Sequence, residues 1–238
     1  MTFPKVEPGD IRDLRLPSAA RGLDISNDGK LLAIAHGSGK HTVTLVETET
    51  AKTIFQGGPK AQRAWAVALT EQESALHFLT WDENNQATLW RTPLKSLKTK
   101  AIRQYSASER VRHLARDRSG RYLAVIGNQI QVWNLEAGRP VALITGANPD
   151  WVLPACFASQ SPHLYVYGLE SGVVSLCDPR SEEVLQRWDA PGDIGEQVTV
   201  SGDGRFLVAC GRSYTGVALH DTHLSQQILA DTDGIQEF

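Results

Sequence analysis

Five short apolar segments recur along the chain at an almost constant spacing. Each is five residues long, and the fourth residue lies at position 46, 90, 133, 177 or 220, so that successive steps are 44, 43, 44 and 43 residues. A period this regular over five copies indicates a chain built from repeated structural units. The segments are 43–47 (VTLVE), 87–91 (ATLWR), 130–134 (IQVWN), 174–178 (VSLCD) and 217–221 (VALHD).

A second, nearly continuous apolar run precedes each segment. Such runs are typical of strands that are buried on both faces. In three repeats the run follows a turn with an Asp-Gly or Ser-Gly pair, where glycine accepts positive φ at little cost. The runs cover 31–35, 76–79, 122–126, 164–167 and 206–210, and the turns cover 27–29, 118–120 and 202–204.

Further strands complete the unit. One lies ahead of the turn, as in 23–26 and 198–201, and a more polar one follows the repeated segment, as in 141–144, 184–188 and 227–229. No window sustains a helical period of apolar residues, and β-branched residues concentrate in the short runs. Four strands per unit at this period predict an all-β chain, a β-propeller of four-stranded antiparallel blades with five repeats visible.

The same pattern divides the chain. Residues 1–20 form an N-terminal segment in which 11–16 (IRDLRL) have the pattern of one additional strand, and residues 235–238 form a tail or the start of a further blade. The segment 21–234 holds the five repeats. Their approximate bounds are 21–58, 63–105, 110–146, 151–190 and 195–231.

At several positions the repeats resemble those of the WD40 family. Trp90-Arg91 and Trp133-Asn134 lie where that family has its Trp-Asp pair, and Cys177-Asp178 and His220-Asp221 keep only the acidic residue. The segments SNDGKLLAIA and SGDGRFLVAC are similar to the family's central strands, and the resemblance covers roughly residues 11–234. The chain contains no Gly-His dipeptide, so the resemblance implies degenerate repeats that lack a complete hydrogen-bonded tetrad.

The resemblance also implies a ring of about seven blades, whereas this sequence shows five. An open ring would leave strand edges unpaired and an apolar blade face uncovered. In the family, an N-terminal strand such as 11–16 usually closes the ring as a clasp. Three explanations stay open: a piece of a longer propeller, an atypical five-bladed ring, or a partner polypeptide that supplies the missing blades.

Composition narrows the function classes. The formal net charge is −3, which gives no bulk attraction to nucleic acid or an anionic membrane. The sequence has no apolar run near the roughly 18 residues of a membrane helix, and residues 1–17 lack the apolar core of a secretory signal. The three cysteines form no CxxC pair and are odd in number, which favours a reducing cytoplasmic location, with the nucleus left open.

Sequence motifs of catalysis and metal binding are missing. The chain has no HExxH, GxSxG or Walker spacing, and HGSGK at 36–40 is interpreted as a loop. We interpret His220 and Cys177 as residues that fill the tryptophan position of their repeats. The sequence therefore predicts a protein that is not an enzyme and that holds no cofactor and no metal.

Arginines and aromatic residues lie in or next to the loops that surround the channel rim of such a fold. Both types are enriched in interface hot spots because they give large contact area and directional bonds. The alternative is that Trp65 and Trp151 fill the core and that the arginines are only solvated. The predicted partner-binding residues are Arg21, Arg63, Trp65, Arg110, Arg112, Trp151, Arg212 and Tyr214.

These observations favour a non-catalytic scaffold, a subunit that binds a protein partner within a larger complex. One alternative is a propeller-type metal-dependent lactonase or hydrolase, for which Asp24 and Glu196 are on or beside first strands, although the other blades repeat no matching set. A second alternative is an accessory nucleic-acid-binding subunit, which the local arginines support and the overall acidity opposes.

Overall fold

A computed structural model describes residues 19–37, 40–60, 62–70, 74–146, 151–159, 161–170, 172–181, 183–190, 195–211, 216–223 and 226–231. Within these ranges the chain is all-β. It forms twenty strands, and its single helical element there is a short 3₁₀ turn at Ala107–Glu109. The strands form five antiparallel sheets of four, so the prediction of an all-β chain with repeated four-stranded units is confirmed.

Each sheet is a simple meander in which the strands follow one another in chain order. Sheet 1 comprises β1 (Ala20–Ile25), β2 (Leu31–His36), β3 (Val43–Glu47) and β4 (Thr53–Gly57). Sheet 2 comprises β5 (Arg63–Thr70), β6 (Ala75–Trp81), β7 (Ala87–Pro93) and β8 (Lys100–Tyr105). Sheet 3 comprises β9 (His113–Arg116), β10 (Tyr122–Ile126), β11 (Gln129–Asn134) and β12 (Arg139–Thr145). Sheet 4 comprises β13 (Ala155–Phe157), β14 (Leu164–Tyr167), β15 (Val173–Cys177) and β16 (Val184–Asp189). Sheet 5 comprises β17 (Gly195–Val200), β18 (Phe206–Gly211), β19 (Val217–Asp221) and β20 (Gln226–Asp231). The additional strand expected at 11–16 and the tail at 235–238 lie outside the described residues.

Every sheet pairs its strands in the same register. The fourth residue of the repeated segment lies opposite an apolar residue of the preceding strand, which places it at the same point of each sheet. The sequence period therefore corresponds to a repeated three-dimensional unit. The opposed pairs are Leu32–Val46, Phe78–Trp90, Leu123–Trp133, Leu164–Cys177 and Leu207–His220.

The last strand of each sheet carries a β-bulge next to this position. The register between the third and fourth strands skips one residue, and in each sheet that residue is aliphatic. A bulge bends an edge strand, so that a further strand pairs with it less well. This explains why several large apolar side chains are exposed there. The skipped residues are Ile54, Ile102, Val141, Leu185 and Ile228.

The turns between the first and second strands of sheets 1 and 5 have a common construction. In sheet 1 the Ser26 hydroxyl donates to Asp28 Oδ1 at 2.6 Å, and Gly29 has a φ of 71°. In sheet 5 the Ser201 hydroxyl donates to Asp203 Oδ1 at 2.5 Å, and Gly204 has a φ of 79°. Glycine is favoured at these positions because other residues rarely adopt positive φ. The turn predictions at 27–29 and 202–204 are confirmed.

Four hydrophobic clusters join the sheets in chain order. Each cluster combines buried side chains from two successive sheets, so that sheets 2, 3 and 4 bury both of their faces. This double burial explains the continuous apolar runs of their inner strands. Representative contributors are Leu45 and Phe78 for sheets 1 and 2, Leu89 and Leu123 for sheets 2 and 3, Val132 and Val166 for sheets 3 and 4, and Tyr167 and Leu207 for sheets 4 and 5.

The first strands of the five sheets lie side by side around one cavity. Strand β1 contacts β5, β5 contacts β9, β9 contacts β13 and β13 contacts β17. The cavity has a volume of about 560 Å³ and is lined by residues of all five strands, including Asp24, Val67, Leu114, Phe157 and Thr199. The loops at the ends of these strands are thereby gathered around the cavity.

Candidate partner-binding cleft

A cleft of about 490 Å³ lies where sheet 2 meets the loop that leads into sheet 3. It is lined by two tryptophans of sheet 2, by three arginines and by residues of the loop between β6 and β7. We call this site the arginine–tryptophan cleft. It is defined by Arg63, Trp65, Trp81, Arg110, Arg112 and the loop 82–85.

Trp65 is exposed because strand β5 contains a β-bulge. Thr80 pairs with Ala64 and Leu79 pairs with Ala66, so the residue between the two alanines is extra. The alanines are buried, whereas Trp65 is 36% exposed. A bulge re-aims a side chain in this way without ending the strand. For Trp65 the alternative that it fills the core is therefore wrong.

Arg21 occupies the same bulged position in sheet 1. The pairing of β1 with β2 skips it between Ala20 and Gly22. Its guanidinium carbon lies 5.1 Å from the centre of the Trp65 ring, a cation–π contact that joins the two sheets. Gly37 leaves room for the arginine, since a Cβ there would lie 2.8 Å from Arg21 Nε.

Trp81 completes the aromatic part of the cleft. Its ring meets that of Trp65 edge to face, with centroids 6.2 Å apart and planes inclined at 73°. It is partly buried against the hydrophobic cluster between sheets 2 and 3, which holds it in place. Arg63 lies directly opposite Trp81 in the pairing of β5 with β6. Trp81 is not among the residues predicted from the sequence, because its place opposite Arg63 depends on the bulge in β5.

The remaining arginines are carried by the loop 106–112. A capping box fixes this loop, because the Glu109 carboxylate accepts from the backbone N–H of Ser106 at 2.7 Å. Arg110 has a φ of 48°, a left-handed conformation that is uncommon for a residue with a side chain. Gly127 allows the loop to pack closely, since a Cβ there would lie 2.3 Å from the Glu109 carbonyl oxygen. The arginines therefore project from a firmly held loop.

Two carboxylates also line the cleft, but one is already used by its own loop. Asp82 Oδ1 accepts from the backbone N–H groups of Asn84 and Gln86, each at 2.9 Å. Glu83 is exposed at the rim. Three arginines line the cleft with these two acids, and Arg21 contacts Trp65. The cleft is therefore positively charged in a chain whose net charge is −3.

The cleft brings together four of the eight predicted residues, Arg63, Trp65, Arg110 and Arg112, and Arg21 contacts the ring of Trp65. Trp151 is half-buried before β13 and does not line the cleft. Arg212 and Tyr214 lie outside the described residues. Partner binding by these residues stays a prediction.

Buried histidines and thiols are poor candidates for chemistry. Burial, with a smaller contribution from Arg91, lowers the pKa of His77 to about 3. Burial raises the pKa of Cys156 to about 12 and that of Cys177 to about 11. These thiols are protonated at neutral pH, whereas a nucleophile or metal ligand must be a thiolate. Within the described ranges, the structure brings together no group of three or more His, Cys, Asp or Glu side chains suited to a metal ion.

The carboxylate of Asp24, which lines the central cavity, serves the fold. It accepts from Arg116 Nε at 2.9 Å and from the backbone N–H of Leu69 at 2.7 Å. The same arginine donates to Asn27 and to the Ile25 carbonyl. Asp24 thus ties together sheets 1, 2 and 3 around the cavity, with its Oδ2 accepting from two protein donors.

In comparisons with known proteins, no family model matches the chain, and no curated protein sequence matches it significantly. Among the described residues, no helix has the length and apolar character that a bilayer-spanning segment requires.

Proposed function

We propose that the five sheets are blades of a WD40-like β-propeller. Three observations support the proposal: the common register of the sheets, the clusters that join each sheet to the next, and the first strands gathered around one cavity. Each is expected of radially stacked four-stranded blades. In this arrangement the arginine–tryptophan cleft belongs to the rim of one face, where loops before first strands lie beside loops between second and third strands.

The protein is, in this proposal, a non-catalytic binding platform that holds a protein partner in the arginine–tryptophan cleft as a subunit of a larger complex. The observation that carries the proposal is the meeting of four predicted residues at one exposed site. Tryptophan and arginine contribute most to interface hot spots because they combine large buried area with fixed hydrogen-bond geometry. A preformed wall of two tryptophans loses little conformational freedom on binding.

The test is quantitative co-purification from the native source with tagged wild-type chain and a Trp65→Ala variant. We expect at least one protein to accompany the wild type and to be reduced about tenfold or more with Trp65→Ala, as for loss of a hot-spot residue. The matched control is Leu185→Ala, which removes another exposed apolar side chain at a bulge, in sheet 4. This control should retain the partner.

Two results would contradict the proposal. Recovery of the partner in equal amounts with Trp65→Ala and with Leu185→Ala would mean that the cleft is not the binding site. Turnover of a metabolite by the purified chain, with no other protein present, would contradict a non-catalytic role.

A further inference from the structure

Two of the three arginines that line the cleft differ from most others in the described parts of the chain. Arg63 and Arg112 are exposed, and neither guanidinium forms an ion pair or hydrogen bond with another described residue. Six other arginines pair with carboxylates at 2.8 to 3.5 Å. The pairs are Arg103–Glu109, Arg116–Asp24, Arg121–Glu136, Arg180–Asp178, Arg187–Glu170 and Arg205–Asp221.

The aromatic part of the cleft adds a second requirement. Trp65 and Trp81 line the same cleft as the arginines and present apolar ring surface there, with Arg63 directly opposite Trp81 in the strand pairing. An occupant that satisfies both features needs an apolar side chain for the rings and negative charges beside it. Guanidinium groups bind carboxylates through two parallel hydrogen bonds, which gives geometric selectivity as well as attraction.

We propose, resting on the function proposed above, that the partner segment bound by the arginine–tryptophan cleft is an acidic peptide. Its carboxylates pair with Arg63 and Arg112, and an apolar side chain between them packs on Trp65 and Trp81. Recognition of acidic motifs by clustered arginines is a general mode of peptide binding. The positive cleft in an acidic chain also steers such a peptide to this site.

Two other occupants have weaker support. Paired tryptophans beside Asp82 and Glu83 have the ingredients of a site for a quaternary ammonium group, such as trimethyl-lysine. Three lining arginines and the guanidinium of Arg21 over Trp65 repel such a cation. Nucleic acid needs a basic surface that follows a long backbone, whereas these arginines are confined to one compact cleft.

The test is selection of a random dodecapeptide display library on the immobilised full chain. The wild type, Trp65→Ala, the double charge reversal Arg63→Glu/Arg112→Glu and the control Leu185→Ala are compared, with thermal unfolding to verify that each variant is folded. We expect wild type and control to enrich peptides that combine Asp or Glu with a large apolar residue. The enriched peptide should bind the charge-reversed variant at least about 30-fold more weakly, and its affinity for the wild type should fall as salt is raised.

The outcomes separate this inference from the proposed function. Enrichment of neutral or basic peptides that is lost with Trp65→Ala would overturn the acidic partner while supporting a binding cleft. Acidic peptides that bind the charge-reversed variant equally well would also overturn the inference. No enrichment on the wild type, or equal enrichment on Trp65→Ala, would overturn both. Tighter binding of a trimethyl-lysine peptide or of a single-stranded oligonucleotide than of the acidic peptide would replace the inference with that ligand class.

Discussion

At the scale of single residues, two β-bulges determine what the cleft presents. Arg21 and Trp65 occupy the skipped positions of β1 and β5, 44 residues apart, the same step as the first one of the repeat. Glu196 is the skipped residue of β17 in sheet 5. The bulge thus recurs in the first strands of sheets 1, 2 and 5, where it inserts one extra residue, and that residue differs from sheet to sheet.

Gly22 is expected to be necessary for this arrangement. A Cβ at this position would lie 2.5 Å from the carbonyl oxygen of Trp65, and backbone cannot yield as a flexible side chain can. We expect Gly22→Ala to lower the free energy of unfolding by about 1–3 kcal/mol, the usual cost of overpacking. Urea unfolding measures it. Gly202→Ala is the control, because a Cβ there would have no neighbour within 4 Å. Equal stability of both variants would contradict the close approach of β1 to Trp65.

His77 is expected to make stability depend on pH. It is fully buried in β6 beside Thr70, and its folded pKa of about 3 lies below the ordinary value of 6.5. Below pH 6.5 the unfolded chain therefore binds a proton that the folded chain does not. The stability that the folded chain owes to neutral His77 is present above pH 6.5 and is lost as the pH falls towards 3. Between pH 7 and pH 4.5 the free energy of urea unfolding should fall less for His77→Gln than for wild type. An equal fall would contradict the prediction.

At the scale of elements, the sheets resemble one another in the construction of their turns and of their edge strands. The turn before β18 is held by the Ser201 hydroxyl and the Arg205 N–H, which both donate to Asp203 Oδ1. The bulged fourth strands place an aliphatic residue at each outer edge, where Ile54, Leu185 and Ile228 are exposed. A bulged edge resists pairing with other chains even when its side chains are apolar.

The aspartate of the turn before β18 predicts a second dependence of stability on pH. It has the same sign as that of His77 but falls in a lower pH range. The hydrogen bond from Ser201, followed by that from the Arg205 backbone, lowers the pKa of Asp203 below 3.8. The stability that charged Asp203 contributes is present above pH 3.8 and is lost as the pH falls through the lowered pKa of the folded state. We expect Asp203→Ala to lower the urea midpoint at pH 7. The difference from wild type should shrink below pH 3.8, and a difference that is constant with pH would contradict this explanation.

Sequence patterns predicted the elements better than the site. The spacing of the five segments located the inner strands because double burial leaves continuous apolar runs. The short first strand β13 and the polar fourth strands β4 and β8 were harder to predict, since strands at the edges of a sheet need few apolar residues. The cleft depends on bulges, and a bulge changes which way every later side chain points without a clear mark in the sequence. For that reason Arg21 and Trp65 were identified individually, while their stacking and the part of Trp81 were not.

At the scale of the whole molecule, the sheets form a series in which neighbours share clusters. Sheet 2 packs on sheet 1 through one face and on sheet 3 through the other, as sheets 3 and 4 pack between their own neighbours. The cleft lies at its rim, and the Arg21 contact links that rim to sheet 1. The cleft geometry therefore depends on the stacking of three sheets, and core variants such as Leu79→Ala should weaken partner binding as well as stability.

Amide hydrogen exchange, with and without the acidic peptide enriched in selection, tests most directly whether these stacked sheets present a binding cleft at their rim. We predict slower exchange in residues 81–86 and 106–112 on binding, with the loop after β17 in sheet 5 unchanged, and loss of the effect in Trp65→Ala. Protection confined to another sheet, or protection that persists in Trp65→Ala, would contradict the assignment of partner binding to the arginine–tryptophan cleft.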